Sequence, residues 1–216
     1  MRRLSEKASG LSTRAYATLR ALESPIAIQD FLDALPMNWE KEGETLQSPL
    51  RVLENRKAHC FEGALLAAAA LWAHGEPPVI MNLSARLDRG DQDHVVALYR
   101  RGGRYGAIGK TNHATIRFRD PVYRTLRELA LSFFHEWFLN TTGEKTLECY
   151  SLPLDLSGDP SWVAAREDLW RLDEALSVRR HFDLVPKGNW RHVRRADSME
   201  LKAGRLEEWP KTDPRT

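Results

Sequence analysis

AHCFEGALLAAAALWAHG, residues 58–75, decides how the rest of the chain is read. From Cys60 to His74 its alanines and leucines leave almost no polar face. A helix apolar all round belongs in the centre of a domain rather than on its surface. Gly75 and the pair Pro77-Pro78 end it. Cys60 therefore stands at the first turn of a buried helix, where unpaired N–H groups and the helix dipole favour an anion and lower a thiol's pKa. The same amides can hold an oxyanion. A free cysteine is also among the commonest core fillers, and Cys149, in the strand-like TLECYSL, reads that way.

Beyond the helix the chain is extended. VIMNLSA, HVVALY and RYGAIGK alternate in the manner of strands, and Arg101-Gly102-Gly103 between the last two signals a hairpin. ATIRFR forms a fourth short run. Helices flank this middle. Ser24-Pro25 opens one with Ile28, Phe31, Leu32 and Leu35 on a stripe. Asp120-Pro121 opens a long one through Trp137, and Asp159-Pro160 another through Leu176. A buried helix, a small antiparallel sheet and flanking helices make an α+β fold. The expected domain spans residues 1–176 with its core at 58–140. A basic extension, 177–216, wraps it.

Composition narrows the classes. Among 216 residues, 32 are basic and 30 acidic, a net charge of +2 that does not mark a dedicated nucleic-acid binder. The clusters Arg100–Arg101, Arg179–Arg180 and Arg191–Arg195 read as solvated surface. No run of about 18 apolar residues indicates a membrane span, and MRRLSEKASG lacks the apolar core of a signal peptide. Two cysteines in such a chain point to free thiols in a reducing, cytoplasmic setting. No cofactor motif is present. Cys60, His94 and His113 match no zinc spacing, so no metal is expected.

A nucleophilic thiol needs a base, and His94, opening HVVALY after the turn DRGDQD, is the best placed of seven histidines. Buried among valines, it needs a partner or a task. His59 is adjacent to Cys60, and neighbours on a helix do not face each other. Glu62, at i+2, reads as a first-turn carboxylate complementing the dipole.

C-F-E-G-A-L-L-A-A-A-A-L-W-A-H-G-E-P-P followed by DHVVALYRRGGRYGAIGKTN resembles the transglutaminase-like superfamily of papain-type fold, over roughly residues 58–112. The resemblance implies Cys60 as nucleophile and His94 as general base in thiol acyl chemistry on a peptide or small amide or ester. It also brings a departure. Gly109-Lys110-Thr111 stands where the family carries Asp-Pro-Thr. Asn112 is then the substitute that would orient the imidazole, with Thr111 and Asp120 as alternatives. Pairing Tyr99 with Tyr105 sets Asn112 diagonal to His94, on one face with Ile108, Val96 and Leu98. A hairpin one residue tighter sets Thr111 opposite His94 and turns Asn112 away. The first register is the expected one. Asn55, Gln47 and Trp39 are upstream candidates for an oxyanion donor. The alternative to an enzyme is a non-catalytic binding or scaffold module of the same fold, which the missing aspartate would suit.

Overall fold

The computed structural model describes residues 2–208; the end of the C-terminal EEWPKTDPRT segment, from Trp209 on, lies outside the described residues. The architecture is α+β. Five helices come first: α1 (Glu6–Ser9), α2 (Thr13–Ala21), α3 (Pro25–Asp33), α4 (Pro49–Asn55) and α5 (Cys60–Ala73). Strands β1 (Val79–Ala85), β2 (His94–Arg101), β3 (Arg104–Ile108) and β4 (Arg119–Tyr123) come next, then α6 (Leu126–Phe134), β5 (Leu147–Ser151) and β6 (Leu154–Asp155). The described chain ends with α7 (Trp170–Ser177), β7 (His181–Asp183) and α8 (Ser198–Gly204). The seven strands form one antiparallel sheet in the order β4-β3-β2-β1-β5-β7, with β6 also on β1. No helix among the described residues is long and apolar enough to cross a membrane.

Helix α5 is the buried element that its composition demands: every residue from Phe61 to Ala73 is buried. It packs on one face of the sheet, where Ile80, Val95, Ala97, Tyr99 and Ile108 join its core. The other face carries Met81, Leu83, Val96, Leu98 and Ala107 against Leu129, Ala130 and Phe133 of α6. The two-residue alternation along β2 thus divides a buried strand between two cores. Gly63 permits a close approach: a Cβ there would lie 2.5 Å from the Cβ of Lys110, just beyond β3.

Several expectations need correction. Ala97 pairs with Ile108 and Tyr99 with Gly106, so the hairpin is one residue tighter than expected. Gly102 and Gly103, at φ +55° and +76°, make a two-residue turn whose twist matches that of the strands. Ile108 accordingly faces α5, not the side of Val96 and Leu98. Asp120-Pro121 does not open a helix. It lies in the edge strand β4, where a missing N–H is tolerated, and Thr125 caps α6 instead, accepting from Glu128 N at 3.1 Å. Asp159-Pro160 opens only a 3-10 turn, Pro160–Val163. The long helix is broken because residues 165–168 are tied across to the α4 entry: Ser48 donates to Ala165 O, and Asp168 accepts from Leu46 N and Arg51. Within 177–216, His181–Asp183 pairs with β5 as a strand of the sheet, and Leu184 and Val185 enter the core.

Candidate active site

The first residues of α5 and β2 lie at one end of the sheet and share a cleft of about 300 Å³. Cys60 and His94 both line it, with Lys110, Thr111, Asn112 and Trp137 among its walls. Cys60 is partly exposed, and His94 is buried. Trp137 sets the ring of His94 edge-on, centroids 6.0 Å apart, and its own Nε1 donates to Asp91 at 3.0 Å. Lys110 is buried; its Nζ donates to Leu35 O at 2.6 Å, and burial lowers its pKa.

The start of α5 is built on an unusual cap. His59 is the N-cap, with extended backbone at φ −97° and ψ −172°. The rule that adjacent residues diverge holds inside a helix. Outside it, the ring folds back over the first turn, and Nδ1 accepts from Phe61 N at 3.3 Å. From there His59 hydrogen-bonds the Cys60 thiol, which corrects the sequence reading. The signal was available: His at N-cap with Glu three residues later is the spacing of a capping box.

Glu62 completes that box by accepting from His59 N at 2.9 Å, but it does far more than complement a dipole. Its carboxylate is fully buried and accepts from Asn38 Nδ2, Thr45 Oγ1 and Gln47 N as well. This one side chain ties the 38–47 loop to the first turn of α5. Thr45 in turn presents its carbonyl to His59 Nε2 at 2.8 Å.

Burial by itself would raise the Cys60 thiol, but hydrogen bonds from His59 and His94, and their charge, lower its pKa to about 5. Burial would lower His59; the hydrogen bond and charge of Cys60, with Glu62 and the Thr45 carbonyl, raise it to about 9. Cys149 behaves oppositely, its thiol pushed up by burial.

The residues expected to orient the His94 imidazole give its Nε2 no hydrogen bond. His94 Nε2 is buried and has no hydrogen-bond partner among the described residues. A Cβ on Gly109 would stand 3.0 Å from that nitrogen. Asn112 is buried in the cleft wall, with its carbonyl accepting from Glu208 N at 2.9 Å, but it gives Nε2 no hydrogen bond. Thr111 is buried beside it, and Asp120 is exposed on β4. Of the upstream amides, Asn55 donates to Gln47, and neither lines the cleft; nor does Trp39. Among the described residues no three His, Cys, Asp or Glu side chains converge as metal ligands. No family model matches the chain, and no curated protein is significantly similar to it.

Proposed function

We propose that the chain is a thiol-dependent acyl hydrolase or transferase of transglutaminase-like, papain-type architecture, acting on an amide or ester. One observation carries the reading: a partly exposed cysteine at the tip of a buried helix shares a cleft with a histidine at the start of the neighbouring strand. The sulfur attacks the acyl carbon, and the carbonyl electron pair moves to oxygen, held by the first N–H groups of α5. The C–N or C–O bond then breaks, and the leaving group departs with the thiol's proton. Water, or an amine in transfer, resolves the thioester, with His94 taking the proton of the attacking group. Such chemistry needs Cys60 reduced, which fits the expected cytoplasmic setting.

The unpartnered His94 Nε2 beside Gly109 favours a second reading, a non-catalytic module of the same architecture. Incubation with p-nitrophenyl acetate and then peptide mass spectrometry separates the two. The enzyme reading expects a burst of p-nitrophenol and an acetyl group on the Cys60 peptide, both lost in Cys60→Ser. Equal, slow acetylation of Cys60 and Cys149 would favour the module.

A further inference from the structure

The Cys60 thiol is hydrogen-bonded to two imidazoles, His59 and His94. His94 lines the cleft, whereas His59 does not. We propose that His59 is a second catalytic residue, the resting acceptor of the Cys60 proton, leaving His94 free for the substrate side; this rests on the acyl-transfer function of the cleft.

The hydrogen bonds of His59 fix its tautomer. The Thr45 carbonyl can only accept, so the nitrogen 2.8 Å from it, Nε2, carries the hydrogen. The lone pair of neutral His59 then sits on Nδ1, over the first turn of α5, where Phe61 N donates to it at 3.3 Å; Nδ1 is the nitrogen left to exchange a proton with Cys60. A cation formed there is favoured from behind: Glu62 Oε1 lies 3.4 Å and Glu40 Oε1 3.6 Å from Nε2. Glu62 is fixed by its four donors, and Glu40 by accepting from Thr45 N at 2.7 Å. With a side chain only 13% exposed, His59 holds this proton largely away from water. The raised imidazole and the lowered thiol are the two sides of that same transfer.

The step balances without any co-reactant. The Sγ–H bond breaks, its electron pair stays on sulfur, and the proton moves to Nδ1. Protonated Nδ1 donates to the thiolate and gives up its weak cap to Phe61 N. When the substrate's acyl bond breaks, this proton departs with the amine or alcohol. His94 then takes the proton of the attacking water and returns it as the C–S bond breaks.

The test uses iodoacetamide, which alkylates thiolates, with rates measured for the Cys60 and Cys149 peptides across pH. His59→Asn keeps an N-cap oxygen for Phe61 N but removes the base. The midpoint of Cys60 alkylation, expected near pH 5 in the wild type, should rise by about two units, cutting the rate at pH 6 about tenfold. His94→Gln should move it less. An unchanged midpoint in His59→Asn overturns the proposal, even if Cys60 stays hyper-reactive and the acyl reading survives. If both cysteines alkylate alike in the wild type, it is the acyl reading that fails. A second measurement leaves the His59 cap intact: ring-carbon NMR of His59 should show its titration midpoint falling from about 9 when Cys60→Ala removes the thiolate. An identical His59 titration in both proteins also overturns it.

Discussion

Replacing Glu62 by glutamine tests the idea that one buried carboxylate assembles the site. The carboxylate is fully buried, and every neighbour within reach is a donor: Asn38 Nδ2, Thr45 Oγ1, Gln47 N and His59 N. Glutamine keeps one acceptor oxygen and turns an NH₂ toward donors. With that oxygen at the Oε1 position, Asn38, Thr45 and Gln47 keep their bonds, but His59 N faces an N–H. A buried donor left unpaired costs about 1–3 kcal/mol, and hydrogen bonds to a charged acceptor are worth about 1.5–3 kcal/mol against roughly 1 kcal/mol for neutral ones. The loss should therefore be about 2–4 kcal/mol of unfolding free energy, read from urea denaturation at neutral pH. An ordinary exposed capping side chain would cost about 1 kcal/mol. The 38–47 loop should loosen first, visible as faster amide exchange at Gln47 N and His59 N. A cost below about 1 kcal/mol, with those two amides still protected, would refute the hub and reduce Glu62 to a common cap.

The same geometry yields two more expectations. In Gly109→Ala the new methyl would stand 3.0 Å from His94 Nε2 and 3.3 Å from Val96 Cγ1, so the ring must shift by a few tenths of an ångström; we expect a loss of about 1–3 kcal/mol and slower acetylation of Cys60, and full retention of both would contradict this close packing. The Cys60–His59 pair also shapes the pH dependence of stability. The thiol, lowered from 9.0 to about 5, adds stability that is full above pH 9 and lost as pH falls through 5. The imidazole, raised from 6.5 to about 9, adds stability that is full below pH 6.5 and lost as pH rises through 9. Between pH 6.5 and 9 the two slopes cancel, and only below 6.5 does acid remove the pair's contribution. The stability difference between wild type and Cys60→Ala, from urea midpoints, should be flat from about pH 7 to 9 and shrink toward about pH 5; a slope across the neutral range would refute the pairing.

The buried helix, its cysteine at the first turn, the strand order from Val79 to Ile108 and the cap at Ser24 were legible in the sequence, because each depends on periodicity or on residues a few positions apart. Ser24 accepts from Ala27 N as a cap must, and α5 is buried because it offers no polar side to water. Where local signals met a long-range competitor, the local reading lost. Asp120-Pro121 looks like a helix start, but β3 offered an edge for it to pair with. The helix expected from Asp159 was interrupted by contacts with residues 46–51, more than a hundred positions away.

At the site the same division holds. Sequence alone marked Cys60 and His94, since a helix-tip thiol and a histidine in an apolar strand are each anomalous by themselves. It could not settle which residue faces His94, because a one-residue change in the Gly102-Gly103 turn reverses every side chain of β3. Nor could it see His59 folding back over the first turn of α5 or Glu62 gathering the 38–47 loop. Those depend on backbone angles at one cap and on groups brought together only when the domain closes. Composition and spacing set what each segment must bury; the tertiary fold alone decides which proton donors and acceptors come within reach.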